Sequence, residues 1–472
     1  MNENSFLSAL LAAFRYSPTP SQYSALQLIT HFLLNRNLSE NLFLLKGFAG
    51  TGKTSITKAL MACLPLIQHQ AVLLAPTGRA AKVMASVAKK QSFTIHKFIY
   101  YHKSNANDEA MRLRPNKFQR TLFIVDEASM ISNSGGAFQN ALLDDLMRFV
   151  YSGKDCSLLF IGDVAQLPPV GTHLSPALNA DYLTYHYQKQ VMETELTDVV
   201  RQRRKSGILR NATRLRKKVL SGTFSAPFLF RLSSGADLQW LTNGEEVQDA
   251  LFEAYQEYGA DETAVIVRSN KRAVGWNNQI RHSILDIEDE IAAGDLLMVV
   301  KNNYFWSKDL PQLNFIANGD TLEVLHLYAF REYYGFRFAE ALVQLIDYPE
   351  LSPFDTVILL DTLRSEAPAL TPAQSQMLYE EVLADYQDEP TASAQYQKVK
   401  ENPFYNALQV KFSYAITCHK SQGGQWEAVF VEKPYLPDDY VIDESYYRWL
   451  YTALTRAKRK AYLIGFPQED FE

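Results

Sequence analysis

The segment Gly47-Phe48-Ala49-Gly50-Thr51-Gly52-Lys53-Thr54 constrains this chain more than any other. It fits the pattern G-x-x-x-x-G-K-[ST], in which glycines let backbone N–H groups wrap a phosphate and the helix that follows adds the positive end of its dipole. The context agrees: the apolar run Leu42-Phe43-Leu44-Leu45 precedes the loop, and the helix-compatible stretch Ser55 to Cys63 follows it. Lys53 is placed to reach β- and γ-phosphates and Thr54 to hold Mg²⁺, with Gly47, Gly50, Thr51 and Gly52 forming the cradle. Such a loop needs a parallel sheet behind it, because it joins a buried strand to a helix that crosses back over the sheet.

The rest of the chain supplies that sheet. Short runs without polar alternation recur at Val72-Leu73-Leu74, Leu122-Phe123-Ile124-Val125, Leu158-Leu159-Phe160-Ile161, Ala264-Val265-Ile266-Val267, Val429-Phe430-Val431 and Ala461-Tyr462-Leu463-Ile464. Strands buried on both faces of a parallel sheet read this way, and the intervening helical stretches predict an α/β fold. Two runs end in further chemistry. Asp126-Glu127 follows Leu122–Val125, where Asp126 is expected to bind Mg²⁺ through water and Glu127 to orient and deprotonate an attacking water. Gly162-Asp163-Val164-Ala165-Gln166-Leu167-Pro168-Pro169-Val170 follows the next run, and Gln166, which both donates and accepts, suits a sensor between a γ-phosphate and its water.

Composition narrows the class. At 47% hydrophobic and 21% charged over 472 residues the chain is globular and long enough for more than one core. Its cysteines, Cys63, Cys156 and Cys418, are odd in number and lack CxxC spacing, so neither a disulfide framework nor a zinc site is expected. The apolar run Phe6 to Phe14 follows Glu3 without a basic flank and is not read as a signal peptide. No stretch approaches the roughly 18 apolar residues of a membrane span, and a cytoplasmic, reducing location is expected. The formal charge of −5 gives no hint of a nucleic-acid partner.

Three segments break the α/β rhythm. Residues 97 to 120 are polar and basic around Ser104-Asn105-Ala106-Asn107-Asp108 and predict a small hairpin-like insertion. Residues 200 to 218 carry nine basic side chains and no acidic one. Residues 321 to 408 open with strand-like aromatic and aliphatic stretches and turn into an acidic, helical segment.

The motifs, taken in order, resemble a family. The phosphate loop, Ala75-Pro76-Thr77-Gly78-Arg79-Ala80-Ala81, Thr94-Ile95-His96, Asp126-Glu127-Ala128-Ser129 and Gly162-Asp163 through Gln166-Leu167-Pro168-Pro169 look like superfamily-one DNA helicases, nearest the RecD-like branch that includes the Dda-type phage helicases. Leu196-Thr197-Asp198-Val199-Val200-Arg201-Gln202, Ser269-Asn270, Ala317-Asn318-Gly319-Asp320, Ala415 to Gly423 and Tyr451-Thr452-Ala453-Leu454-Thr455-Arg456-Ala457 continue the series. The resemblance implies two RecA-like parallel-sheet lobes, residues 1–200 and 201–472, with ATP and Mg²⁺ between them. It implies a strand-separating pin at 97–120 and an SH3-like β-rich insertion at 321–408. Arg201 and Arg456 stand where the family places cations for the γ-phosphate. Gln22 stands where it reads adenine, and Gly423 and Gln425 where it contacts the nucleotide. Gln425 departs from the acidic residue common there, but an amide still bonds a ribose hydroxyl.

The resemblance also implies a track for single-stranded DNA, with Thr77, Arg79, Thr94 and His96 in the first lobe and Asn270, Thr417, His419 and Lys420 in the second. Backbone phosphates need hydroxyls, N–H groups and cations, as these residues offer. Tyr100, Tyr101 and His102 are candidates for the pin tip, since a wedge needs a flat or apolar end. The expected activity is ATP-dependent helicase action, 5′ to 3′ in this branch, on single-stranded DNA and DNA junctions, by a monomer, in repair or recombination. A translocase that strips proteins from DNA without much unwinding is the alternative. A non-enzymatic binder is disfavoured by the intact Lys53, Thr54, Asp126, Glu127, Gln166, Arg201 and Arg456. The acidity has a local source: residues 340 to 402 hold twelve acidic and three basic side chains, a net of −9, so the remainder carries −5 + 9 = +4. A basic motor with an acidic insertion remains compatible with a nucleic-acid partner.

Overall fold

Strand β1 (Asn41–Gly47) ends at the phosphate loop and sits inside a sheet, with parallel neighbours on both sides. The computed structural model describes the chain except for residues 15, 35–40, 102–111, 134–140, 199–205, 225–226, 233–236, 309, 311–312, 314 and 438–439. The chain forms two compact units. Met1–Arg204, Arg216–Gly222 and Glu444–Thr452 make the first, and Lys205–Leu215, Thr223–Asp443 and Ala453–Glu472 the second. The expected division at 200 and 201 lies outside the described residues, and two later stretches, Arg216–Gly222 and Glu444–Thr452, belong to the first unit.

The first unit is built on β1, β2 (Gln70–Ala75), β3 (Ser92–Thr94), β4 (Thr121–Val125), β5 (Ser157–Gly162) and β6 (Gln190–Leu196), in the order β3-β2-β4-β5-β1-β6. Every pairing is parallel. Successive residues of β1 face opposite sides, and both sides are covered. Phe43 and Leu45 pack with Phe6, Leu10, Leu26, Ile29 and Phe32 from the helices Glu3–Ala13 and Pro20–Leu34. Leu42 and Leu44 pack with Leu143, Leu146 and Phe149 of the helix Leu142–Tyr151. Burial on both faces is why these strands read as continuous apolar runs.

The second unit contains two sheets. One comprises β7 (Leu238–Leu241), β8 (Thr263–Val267), β14 (Ala415–Thr417), β15 (Trp426–Glu432) and β16 (Ala457–Ile464), in the order β14-β8-β15-β16-β7 and parallel throughout. The other is a closed barrel of β9 (Leu296–Val299), β10 (Thr321–Tyr333), β11 (Phe336–Leu345), β12 (Phe354–Leu359) and β13 (Leu408–Phe412). This is the expected β-rich insertion, but β9 lies outside residues 321–408 and β13 runs past 408. Closing the barrel needs both, since β9 bonds β10 on one side and β13 on the other. The acidic segment contains two helices, Pro372–Ala384 and Ala392–Glu401, and Leu378, Val382 and Val399 pack them on Phe338, Val357 and Leu359 of the barrel.

Barrel and second sheet share one apolar core, which includes Val265, Val267 and Phe430 from the sheet and Leu297, Val299, Leu322 and Ile358 from the barrel. A buried ion pair ties them: Arg281, on the helix Asn270–Ser283, meets Asp295 at 2.8 Å. The Tyr414 hydroxyl donates to the same carboxylate at 3.0 Å and accepts from Leu296 N–H at 3.1 Å. The pair therefore fixes the joint between the barrel and β14.

Residues 97–99 finish the helix Ile95–Ile99 rather than starting a hairpin. Beyond it, Tyr101 N–H donates to Arg112 O (2.8 Å) and Arg114 N–H to Ile99 O (2.7 Å), which makes an antiparallel base around the Tyr100–Leu113 bridge. The expected tip, His102 included, lies outside the described residues. Tyr100 belongs to the base and faces inward, 7% exposed, with its hydroxyl donating to Asp145 at 2.9 Å.

Candidate nucleotide and DNA sites

Three adjacent inner strands of the first unit, β4, β5 and β1, carry the expected nucleotide chemistry at their carboxyl ends. After β1, Gly50 and Gly52 adopt φ of +80° and +91°, a region that disfavours side chains. A Cβ on Gly52 would also lie 2.4 Å from Gln22 Nε2, so this position is closed to any other residue. Gly52 caps the helix Lys53–Cys63 without a side-chain bond, which leaves the first-turn N–H groups available to an anion. Lys53 folds back on the loop, donating to Gly47 O at 2.7 Å and Phe48 O at 3.0 Å. Thr51 is fully buried and bonds Phe48 O through its hydroxyl at 2.8 Å, whereas Thr54 is exposed at the helix start.

Gln22 is buried and joined to this loop. Its Nε2 donates to Thr51 O at 2.8 Å, and its Oε1 accepts from Thr19 N–H at 3.0 Å. One Nε2 hydrogen and one Oε1 lone pair remain, enough to meet an adenine edge. The preceding residue is also held: Ser21 N–H and Oγ both donate to Asp198 Oδ2, at 3.1 and 2.8 Å. Those bonds keep the Asp198 carboxyl below its usual range.

After β4, burial first and the adjacent Glu127 charge second push Asp126 up to about 6, with Lys53 opposing. A half-buried carboxylate pair with an excess of negative charge fits a cation, and Thr54 lies on the helix that Lys53 opens. Glu127 itself has φ +53°, a strained setting that turns the chain sharply after the strand. After β5, Gln166 is 5% exposed, and its Oε1 has no hydrogen-bond partner among the described residues. A buried side-chain carbonyl left open is costly and calls for a donor.

The sequence reading missed the groups that hold this edge together. Tyr451, on the helix Glu444–Leu454, accepts from Ala49 N–H at 3.0 Å and donates to Asp163 at 2.7 Å. Arg448 donates to the carbonyls of Val164 and Gln166, and Thr452 Oγ1 accepts from Leu167 N–H at 2.9 Å. Arg216, from the basic stretch, lies 4.2 Å over the Phe48 ring, and its Nε finds no partner among the described residues. Motif spacing exposes Asp163 but gives no signal for these contacts, which join segments hundreds of residues apart.

In the second unit Arg456 is 2% exposed and donates to Gly424 O at 3.3 Å, beside Gly423, whose φ is +74°. Gln425 follows, half-buried. Arg201 lies outside the described residues.

The expected DNA residues occupy strand ends farther along each sheet. In the first unit Thr77 follows β2 and Thr94 ends β3, and both are helix N-caps: Thr77 accepts from Ala80 N–H at 3.3 Å and Thr94 from Lys97 N–H at 3.2 Å. Arg79 lies in the turn that Thr77 caps. Burial pushes the His96 imidazole down to about 4, so it is neutral at pH 7. In the second unit Asn270 follows β8, Thr417 ends β14, and the two strands pair in parallel at Val267 and Thr417. Asn270, Thr417 and Lys420 line one cleft together with Lys411. Lys411 was not anticipated. Burial and the Lys420 charge lower it to about 8 while it donates to Thr362 O and Ser365 O. Burial lowers Lys420 too, and burial with the Arg268 cation lowers His419.

Residues 32–172 match the AAA domain family and residues 412–464 the UvrD-like helicase C-terminal domain. The ATP-dependent RecD2 DNA helicase of Deinococcus radiodurans is 32% identical over 142 residues, 30% of this chain and 18% of the relative. The ATP-dependent DNA helicase dda of Enterobacteria phage T4 is 24% identical over 266 residues, 54% of this chain and 55% of the relative. The chain thus spans at most about half the length of these two relatives. A crystal structure of Pif1 helicase from Bacteroides in complex with ADP-AlF3 and ssDNA superposes with a TM-score of 0.46 at 16% identity, over 94% of this chain and 92% of that one. Among the described residues no helix is long and apolar enough to cross a membrane.

Proposed function

We propose that this chain is a RecD- and Dda-like member of helicase superfamily one, an ATP-dependent DNA helicase that moves 5′ to 3′ on single-stranded DNA, a reading supported by its two matched domains and by its similarity to RecD2 and dda. The observation that carries the reading is the edge formed by β4, β5 and β1. There an uncapped helix start, a half-buried carboxylate pair and a glutamine side-chain carbonyl open to a donor follow three neighbouring strands.

Each group has a role there. The first-turn N–H groups and Lys53 bind the β- and γ-phosphates. Thr54 and Asp126 would hold Mg²⁺, which neutralises phosphate charge when bound. Glu127 takes the proton of the attacking water, and Gln166 Oε1 accepts a hydrogen bond from that water, filling its vacancy. Gln22 meets adenine, and Gly423 and Gln425 the sugar side. Arg201 and Arg456 supply the cations that stabilise charge developing on the γ-phosphate. Thr77, Arg79, Thr94, His96, Asn270, Thr417, His419 and Lys420 hold the DNA backbone, with the element at 97–120 dividing the duplex at a junction.

Unwinding of 5′-tailed against 3′-tailed duplexes with ATP tests activity and polarity together. The 5′-tailed duplex is expected to open, and Lys53→Ala to abolish ATP hydrolysis while sparing DNA binding. An ATPase rate that does not rise with single-stranded DNA would sink the reading. Protein displacement without strand separation would leave a translocase instead.

A further inference from the structure

The segment Glu444–Thr452 grips the loop that carries Gln166 at successive points, and one of its side chains also holds the phosphate loop. We propose that Tyr451 is a positioning residue for hydrolysis, coupling Ala49 of the phosphate loop to the Gln166 loop through Asp163. The proposal rests on reading the first unit as an ATPase.

The chemistry of the three groups fixes the direction of the bonds. A backbone N–H only donates and a carboxylate only accepts. The Tyr451 hydroxyl therefore takes the Ala49 N–H on a lone pair at 3.0 Å and gives its single proton to Asp163 Oδ2 at 2.7 Å. Asp163 Oδ1 in turn accepts from Ala165 N–H at 2.9 Å. The chain Ala49–Tyr451–Asp163–Ala165 thus runs through one hydroxyl that cannot reverse. Burial and the Asp163 charge hold the phenol well above its ordinary range, so the proton stays in place at working pH.

The neighbours show what the chain positions. Arg448 holds the carbonyls of Val164 and Gln166 and is itself paired with Glu444 at 2.6 Å. Thr452 holds Leu167 N–H. Backbone groups on both sides of Gln166 are thereby fixed, while its Oε1 stays open. Ala49 lies between Gly47 and the positive-φ Gly50, so a phosphate seated in the loop acts directly on the amide that Tyr451 holds. The aim of Gln166 then follows the state of the phosphate loop. Tyr451 itself needs no contact with the nucleotide.

Tyr451→Phe keeps the buried ring and deletes the bridge. The expected result is a fall of about tenfold in kcat for DNA-stimulated ATP hydrolysis, the effect of one charge-assisted hydrogen bond. KM for ATP should change less than about twofold, because the group acts on a transition-state contact. In a Gln166→Ala background the same substitution should cost less than about twofold more, since the residue it positions is gone. An unchanged kcat in Tyr451→Phe, or an undiminished tenfold loss in the Gln166→Ala background, overturns the proposal. If Tyr451→Phe fails to fold, Asp163→Asn tests the same bridge: it keeps the shape and removes the charge, and is expected to lower kcat severalfold at constant KM, whereas a wild-type kcat overturns the proposal. A wild-type protein without DNA-stimulated ATPase would fail earlier and would sink the underlying reading instead.

Discussion

Asp126 offers a test of the nucleotide site that needs no catalysis. Its carboxyl is moved from 3.8 to about 6 by burial and by Glu127. A carboxyl raised in the folded state favours folding fully below its unfolded midpoint, and that contribution is lost as pH rises through the folded one. The difference of about two units between the midpoints corresponds to about 3 kcal/mol, at about 1.4 kcal/mol per pH unit. By pH 5 about half of this loss has occurred, since the unfolded carboxyl is already ionised, and the other half falls between pH 5 and pH 8. Asp126→Asn removes the charge and keeps the shape. Without nucleotide or Mg²⁺ it should therefore be more stable than wild type by about 3 kcal/mol at pH 8 and by about half that at pH 5. Urea unfolding at the two pH values measures the difference. At pH 8, Mg²⁺ with nucleotide should stabilise wild type more than Asp126→Asn. A stability gap that stays constant from pH 5 to pH 8 would refute the reasoning, because it would place the origin of the effect in packing and not in charge.

Other expectations follow from the DNA residues and the barrel joint. Lys420→Ala should lower the salt slope of single-stranded DNA binding by about 0.7, the effect of one lost phosphate contact, in a titration at several salt concentrations. Lys411 titrates near 8, so DNA affinity should fall from pH 7 to pH 9 as its charge is lost, and Lys411→Met should flatten that fall. His96, neutral above about pH 5, can only hydrogen-bond; His96→Gln should leave the salt slope unchanged, and His96→Ala should weaken binding by about 1 kcal/mol. Asp295→Ala strands the Arg281 charge in the core and should cost about 3–5 kcal/mol in urea unfolding of the second unit.

All seven apolar runs read from the sequence are strands, because each lies where both faces of a parallel sheet are covered. Other strands lacked that signature for physical reasons. β6, Gln-Val-Met-Glu-Thr-Glu-Leu, is an edge strand whose polar residues alternate outward. β3 and β14 have three residues each, too few for any period to show. β9 is four apolar residues, and nothing in such a run tells a sheet from a barrel. The site divides the same way. Lys53, Asp126 and Gln166 were legible because a motif fixes their distance from a strand end. Tyr451, Arg448, Arg216 and Lys411 were not, because their partners are brought close only by the fold.

Under the proposed function, the strand ends also explain how one architecture would serve two ligands. In the first sheet the nucleotide residues follow β4, β5 and β1, while Thr77 and Thr94 follow β2 and β3 at the edge. In the second sheet Asn270 and Thr417 again follow an edge pair, β8 and β14. A nucleotide is compact and needs convergent groups, which only adjacent inner strands with covered faces provide. A DNA strand is extended and must pass through, which an edge allows and a closed interior does not. In the first sheet the edge pair ends in threonines that cap helices, and in the second Ser269 caps the helix Asn270–Ser283 while Thr417 leads into a turn; hydroxyls and first-turn N–H groups of this kind meet phosphates without reading bases. Sequence-independent movement along a strand requires that kind of contact, and it is the property that Lys420 and the neutral His96 are predicted to divide between charge and hydrogen bonding.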